Sequence, residues 1–182
     1  MTDPTTSNPA PARLNQTHPA VNFSAQNLSE AELLHHAENV ATLLPRYGLV
    51  AFWGDLGVGK TTFIRRLIQT LSKDPHLVVP SPTFNLIQEY SLGDSGMAQG
   101  TADQGPTRQT LTNVTLWHCD LYRLTCPDEC LELGLLEAMH SHLCLIEWPD
   151  RMGSYLPKGR IDIHIDICAD DLRKIVVKTP IA

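Results

Sequence analysis

The sequence predicts an α/β fold in which helices cover both faces of a mixed sheet, with a mostly parallel core and an added antiparallel hairpin. Short, continuously apolar runs at 49–53 and 143–146 are typical of strands buried on both faces. Segments with helical spacing of apolar residues flank the first run, and isoleucines alternate with polar residues over 161–167. Strands that alternate with helices before a final hairpin indicate a mixed α/β sheet.

Length and composition narrow the class of protein. The chain has 182 residues, of which 42% are hydrophobic, and this suits one packed domain. With 14 basic and 20 acidic residues the net charge is −6. This charge disfavours binding to a nucleic-acid backbone without a partner protein. The longest apolar runs, about five residues, are far shorter than the ~20 that a membrane span requires. Scattered cysteines and an N-terminus without a secretory apolar stretch predict a cytoplasmic protein with reduced thiols.

In the first half of the chain, the sequence predicts a tail, a helix, a strand and a second helix. Residues 1–24 are rich in Pro, Thr, Ser and Asn, which predicts a disordered tail and a single domain over 25–182. Ser29 and Glu32 have the spacing of a capping box, which predicts the start of a helix. The apolar run 49–53 is followed by a glycine-rich turn and then by the second helix. The apolar stripe of that helix comprises Phe63, Leu67 and Leu71.

The second half of the chain predicts the remaining strands. A strand over 83–90 leaves a loop that two prolines shape. Residues 91–113 predict a flexible insertion, because they hold four glycines and no aromatic residue. The elements after it are predicted as a strand, a short helical stretch, a strand and an antiparallel hairpin, at 114–119, 127–139, 143–146, 161–167 and 174–178.

The segment GDLGVGKT at 54–61 matches the pattern G-x-x-x-x-G-K-[ST] between a predicted buried strand and an amphipathic helix. Its glycines allow a tight turn that points N–H groups at phosphate oxygens, and the helix dipole points its positive end the same way. Lys60 is expected to contact the β- and γ-phosphates, the Thr61 hydroxyl to ligate Mg²⁺, and Thr62 to donate to the α-phosphate. The residues predicted to bind nucleotide are Asp55, Gly57, Val58, Gly59, Lys60, Thr61 and Thr62.

A phosphate loop of this kind also needs an acidic residue that holds the metal and its water, usually at the end of a neighbouring strand. Glu147 directly follows the buried run 143–146 and is the best candidate. Asp120 ends the preceding strand and is the next, either as ligand of a metal-bound water or as the base that orients the attacking water. Each has a simpler interpretation, a strand-end carboxylate for Glu147 and a local cap for Asp120. His118 is more simply a structural or hydrogen-bonding residue than an acid–base catalyst.

Four separated motifs resemble the bacterial TsaE (YjeE) family in their order, and the resemblance spans residues 29 to about 178. They are GDLGVGKTTF at 54–63, SPTFNL at 81–86, WHCDLYRL at 117–124 and IEWPDR at 146–151. The resemblance implies that Lys60 and Thr61 belong to the Walker A motif and that Thr83 lies in a switch-like loop near the γ-phosphate. It also implies that Glu147 is the Mg²⁺-linked Walker B acid. The implied catalytic residues are Thr83, Asp120 and Glu147, and the implied metal ligands are Thr61 and Glu147.

Members of that family are small P-loop ATPases of tRNA threonylcarbamoyladenosine biosynthesis. The resemblance therefore implies ATP or ADP and Mg²⁺ as ligands, weak ATP hydrolysis, and a task in threonylcarbamoyl transfer to the adenosine beside the anticodon. TsaD and TsaB are the implied protein partners, with tRNA contacted only through them and no membrane involved. A small-molecule kinase of the P-loop fold is the alternative, and a nucleotide-gated binding module is a third. Kinases of this fold usually carry an arginine-bearing lid, whereas the long loop 91–113 holds a single arginine.

Overall fold

The computed structural model describes residues 20–93 and 114–180, which form one mixed sheet with helices on both of its faces. The strands are β1 (Ala20–Leu28), β2 (Gly48–Trp53), β3 (Ile87–Leu92), β4 (Val114–Asp120), β5 (Leu143–Glu147), β6 (Ile161–Ile167) and β7 (Arg173–Thr179). The helices are α1 (Glu30–Ala41), α2 (Lys60–Ser72), α3 (Glu129–Glu132) and α4 (Leu135–Ala138), with 3-10 turns at Pro149–Tyr155 and Ala169–Asp171. None of the helices in these described ranges is long and apolar enough to cross a membrane.

The order of the strands across the sheet is β1-β7-β6-β2-β5-β4-β3. The four central strands β6, β2, β5 and β4 run parallel, while β7, β1 and β3 add antiparallel pairs at the two sides. The predicted fold class is confirmed. Because β2, β4 and β5 are parallel, their last residues, Trp53, Asp120 and Glu147, lie at the same edge of the sheet. Open α/β sheets bind ligands at this edge.

Helices α1 and α2 pack together on one face of the sheet. The Ser29 hydroxyl accepts a hydrogen bond from Glu32 N at 3.3 Å, and the Glu32 carboxylate accepts one from Ser29 N at 2.8 Å, so the predicted capping box begins α1. The two helices cover apolar side chains of β2 that point to this face, among them Val50 and Phe52. Phe63 of α2 is fully buried here, and burial of such a side chain contributes about 1.5–3 kcal/mol.

The other face is covered by α3, α4 and the turn at Pro149–Tyr155, which pack against the alternate side chains of β2, β4 and β5. The short helical stretch predicted there is divided at Gly134, whose φ is 69°. Three buried cysteines belong to this second core, Cys119, Cys130 and Cys144. Burial disfavours a thiolate, and it raises the pKa of Cys130 to about 11 and that of Cys144 to about 12. It also raises the pKa of Cys119 well above its usual value.

The disordered tail predicted over residues 1–24 extends too far, because the first strand already begins at Ala20. Residues 20–24 belong to β1, which pairs antiparallel with β7 in a register that sets Phe23 opposite Val177. Phe23 and Ala25 also pack against the core beneath α1 and α2. These apolar contacts and the strand pairing order a segment whose polar composition suggested disorder. Residues 1–19 lie outside the described residues.

The strand expected over 83–90 begins later than the sequence suggested. Leu86 N donates a hydrogen bond to the Pro82 carbonyl at 2.6 Å, which closes a turn ahead of Ile87, the first residue of β3. Leu86 itself has a left-handed φ of 62°, and a strand does not contain this conformation. Thr83 is therefore a turn residue rather than the first residue of a strand.

The insertion expected over 91–113 also begins later. Ser91 and Leu92 are the last residues of β3 and lie opposite Thr115 and Val114 of β4. Leu92 is only 2% exposed, which identifies it as a core residue. The rest of the expected insertion, from residue 94 onward, lies outside the described part of the chain.

Candidate functional site

The glycine-rich loop that joins β2 to α2 has the backbone of an anion site. Gly54, Gly57 and Gly59 have φ values of 135°, 80° and 107°, which other residues rarely adopt. At Gly54 the requirement is also steric, because a Cβ there would collide with the carbonyl oxygen of Ile165 in β6. The first N–H groups of α2 have no acceptor within the helix. Loop and helix start therefore offer consecutive donors and a positive dipole end to an anion.

Lys60, the first residue of α2, is held inside this loop and is 4% exposed. Its Nζ donates hydrogen bonds to the carbonyl oxygens of Gly54 at 2.7 Å and of Asp55 at 2.8 Å. The ammonium also lies 4.1 Å from the centre of the Trp148 ring, a favourable cation–π geometry. Burial lowers the pKa of Lys60, and nearby carboxylates, Glu147 first, oppose that shift.

Thr61 and Glu147 form a hydrogen-bonded pair next to Lys60. The Thr61 hydroxyl donates to the Glu147 carboxylate, with Oγ1 at 2.8 Å from Oε1 and 3.0 Å from Oε2. The β2–β5 register sets Glu147 opposite Phe52, one strand away from the loop. A hydroxyl and a carboxylate are the hard oxygen donors that Mg²⁺ prefers. The donor set brought together here, Thr61 and Glu147, thus fits the implied metal.

Glu147 has a second partner that the sequence did not identify. His118 of β4 has its Nε2 at 3.0 Å from Glu147 Oε1, and the two side chains are 0% and 3% exposed. The sequence suggested a structural or hydrogen-bonding histidine at this position and named no partner. That partner depends on the register of β4 against β5, which sets Asp120 opposite Glu147.

Asp120 and Thr83 form a second pair at the same edge of the sheet. The Thr83 hydroxyl donates to Asp120 Oδ2 at 2.9 Å and lies 2.7 Å from the Ser81 hydroxyl. The other carboxylate oxygen of Asp120 accepts from Tyr122 N at 3.1 Å. Asp120 thus also caps the turn that follows β4, the simpler interpretation of its position. Of the residues that the sequence singled out, the structure thus brings Asp120, Glu147, Thr61 and Thr83 to this edge of the sheet.

The turn that carries Thr83 also exposes an aromatic side chain. Phe84 is 86% exposed, and the guanidinium of Arg123 lies 5.8 Å from its ring centre. Nearby, Trp148 has a left-handed φ of 59° and its ring lies 4.9 Å from that of Tyr122. The motif IEWPDR placed Trp148 beside Glu147 but predicted no contact with Lys60.

The other residues predicted to bind nucleotide lie in different surroundings. Asp55 is exposed and gives its carbonyl oxygen to Lys60. Val58 is 3% exposed and packs in the core of the α1–α2 face, which leaves its backbone for a ligand. The Thr62 side chain lines a groove of about 410 Å³ between α1 and α2, together with Arg65. It therefore lies apart from the Thr61–Glu147 pair.

A strand, a glycine loop and a helix that begins with lysine and threonine, with an acid on the neighbouring strand, define a P-loop NTPase. The crystal structure of Bacillus subtilis YdiB has this fold, with a TM-score of 0.61 and 26% identity, covering 87% of this chain and 85% of that one. Residues 27–175 match the family model described as threonylcarbamoyl adenosine biosynthesis protein TsaE. The chain belongs to the TsaE family.

Individual relatives agree with this membership. A tRNA threonylcarbamoyladenosine biosynthesis protein TsaE of Rickettsia bellii is 37% identical over 145 residues, which cover 80% of this chain and 87% of the relative. The TsaE protein of Bacillus subtilis is 36% identical over 123 residues, covering 67% of this chain and 63% of the relative. The recognition of the family from four sequence motifs is confirmed.

Proposed function

We propose that the chain binds ATP or ADP with Mg²⁺ at its P-loop and hydrolyses ATP slowly, and that this serves the formation of threonylcarbamoyladenosine in tRNA. Family membership supports the pathway, because the relatives are named as proteins of that biosynthesis. The observation that carries the nucleotide chemistry is the hydrogen bond from Thr61 to Glu147, 2.8 Å long, beside the buried Lys60. Lys60 and Glu147 are both buried, and burying charged groups is costly unless they are paired or bind a metal.

Phosphate binding follows from the loop and from Lys60. The N–H groups at the start of α2 bind the phosphate oxygens, and the helix dipole favours their charge. Lys60 exchanges its two carbonyl partners for phosphate oxygens, which bear a full charge and therefore make stronger hydrogen bonds. The carbonyl oxygens of Gly54 and Asp55 hold the ammonium in the loop, so that little side-chain freedom remains to be lost on binding.

Thr61 and Glu147 would hold the metal. The Thr61 hydroxyl donates its proton in a hydrogen bond to Glu147, and its oxygen still has lone pairs with which it can bind a cation. The carboxylate, which is 3% exposed, contributes negative charge in a poorly solvated place. Mg²⁺ bound there supplies neutralisation of the charge that develops on the phosphates.

Asp120 and Thr83 are the groups that would act on the water and on the γ-phosphate. The Thr83 hydroxyl, whose proton points to Asp120, sits on a turn rather than on a strand and can move with that turn. Asp120 retains acceptor capacity with which it can orient an attacking water. A terminal phosphate would compete for Thr83, and this links ATP binding to the position of the turn.

TsaD and TsaB are the proposed protein partners, and tRNA is proposed to meet the chain only through them. Phe84 is 86% exposed, and aromatic side chains are enriched where proteins contact one another. The arginine beside it, Arg123, belongs to a residue type that is enriched at the centre of interfaces. Phe84 directly follows Thr83 in the chain, so the proposed docking surface and the nucleotide site adjoin.

The test is the release of ADP and inorganic phosphate from ATP and Mg²⁺, measured with and without TsaD and TsaB. We expect slow release of both products in equal amounts, faster release with the partners, and loss of activity in Lys60→Ala. Lys158→Ala, which removes an exposed lysine far along the sequence, is the matched control and should behave as the parent. ADP formed without phosphate would indicate transfer to an acceptor and contradict hydrolysis.

A further inference from the structure

We propose that His118 is a positioning residue for Glu147, which fixes the carboxylate in the orientation that faces Thr61 and the metal. This inference rests on the proposed function of the site. His118 Nε2 lies 3.0 Å from Glu147 Oε1, and the imidazole is 0% exposed. A hydrogen bond between two such buried side chains has a defined geometry, because neither can exchange its partner for water.

The strand register explains why a histidine on β4 reaches this carboxylate. His118 lies opposite Leu145 of β5, and Asp120 lies opposite Glu147. Residues two apart on a strand share a face, so His118 and Glu147 are diagonal neighbours on the face that α2 covers. The carboxylate is therefore held from two directions, by the imidazole on the sheet and by Thr61 on the helix.

The hydrogen bonds of the imidazole indicate which nitrogen carries the proton. Nδ1 is buried and has no hydrogen-bond partner among the described residues. A proton on Nδ1 would be a buried donor without an acceptor, which is costly, whereas a proton on Nε2 has the Glu147 carboxylate. This tautomer offers Glu147 a neutral donor. A lysine or arginine at the same place would also donate, but would cancel the negative charge that attracts a cation.

The effect on the metal follows from the geometry. Glu147 Oε1 is shared by His118 and the Thr61 hydroxyl. Without His118, the carboxylate can rotate about its terminal torsion, which has a broad preference. Partners that orient a metal ligand typically contribute about 10–100-fold to metal affinity or activity.

The test compares three full-length variants by their response to Mg²⁺. His118→Leu removes the donor, His118→Gln places an amide nitrogen within reach of Glu147, and Leu116→Ala perturbs the same core two residues away without touching Glu147. The Mg²⁺ concentration that gives half of the metal-dependent gain in ADP affinity is measured by calorimetry, and ADP affinity in EDTA serves as the metal-free reference. Melting curves confirm that each variant is folded.

We expect His118→Leu to raise this Mg²⁺ concentration about 10-fold or more and to leave ADP affinity in EDTA unchanged, with partial recovery in His118→Gln. Leu116→Ala should melt at a lower temperature with an unchanged response to Mg²⁺. Should His118→Leu not fold, His118→Asn replaces it, because its amide is too short to reach Glu147.

An unchanged Mg²⁺ response in the folded variant would overturn the inference, as would an equal loss of ADP affinity in EDTA. A parent protein that binds ADP without any effect of Mg²⁺ would overturn the metal role in the proposed function, and this inference with it.

Discussion

Lys60, Thr61 and Glu147 illustrate how much of the site a sequence can specify. The loop pattern names the first two residues, and the end of a buried strand names the third, because each carries a local signal. The contact between His118 and Glu147 has no local signal, since it depends on the register between β4 and β5. The left-handed backbone of Trp148, which places its ring over Lys60, is equally hidden, because tryptophan rarely adopts that conformation.

Burial of Lys60 predicts an alkaline limit to nucleotide affinity. Burial lowers the pKa of Lys60, so the free protein loses this proton at a lower pH than an ordinary lysine, whose pKa is about 10.4. A neutral Lys60 attracts phosphate less, and ADP affinity should fall as the pH rises through the lowered pKa. Calorimetry from about pH 7 to 10.5 measures this. Lys60→Arg remains charged over the range and should lack the limit; the same fall in that variant would assign it to another group.

Replacing Glu147 or Asp120 by its neutral amide should lower ATP hydrolysis for two different reasons. Glu147→Gln keeps an acceptor for Thr61 but removes the charge, so hydrolysis should fall about 10²–10³-fold, while ADP affinity in EDTA is retained. Asp120→Asn should lower hydrolysis by about 10²–10⁴-fold, as expected for a base, with an unchanged Mg²⁺ dependence. ATP hydrolysis measured against Mg²⁺ concentration separates the two. If Glu147→Gln were fully active and Asp120→Asn were inactive at every Mg²⁺ concentration, Asp120 would be the residue that holds the metal and Glu147 would not.

Among the elements, the central strands and both long helices follow directly from apolar patterns, whereas the edges of the sheet do not. In β1, Phe23 and Ala25 pack against the core, and a proline-rich segment precedes the strand in the sequence. Its order comes from pairing with β7, which is distant in sequence. The late start of β3 depends on the left-handed Leu86, a conformation that the pattern of a leucine cannot reveal.

β1 should be a stabilising part of the domain. A chain that begins at residue 20 keeps the strand, and one that begins at residue 29 loses its pairing with β7 and the packing of Phe23. Loss of one such side chain costs up to about 1.5–3 kcal/mol, and at about 2–4 °C per kcal/mol the melting temperature should fall by about 3–12 °C. Thermal melts of the two chains provide the measurement. Equal melting temperatures would show that β1 adds nothing to stability.

At the scale of the whole molecule, the net charge determines how strongly the chain can bind RNA. The chain carries −6, and the lysine of its loop is proposed to bind nucleotide phosphates. We therefore expect the isolated chain to bind tRNA no better than non-specifically, with a Kd of about 10⁻⁶–10⁻⁴ M or weaker at physiological salt. Filter binding with the chain alone, and then with TsaD and TsaB added, measures this. Tight and saturable binding by the chain alone would place the tRNA contact on this subunit.

Alkylating reagents can measure how often the α3–α4 side of the sheet opens, because three thiols are buried in the core on that side. Such reagents attack thiolates, so Cys119, Cys130 and Cys144 can be labelled only during a transient opening that exposes them. Cys126 is exposed and should react at once, which provides an internal reference in the same mass spectrum. Cys119 lies between His118 and Asp120. The labelling rate of Cys119, measured with and without nucleotide, therefore reports how much a bound ligand suppresses the opening of β4, the strand that carries His118 and Asp120.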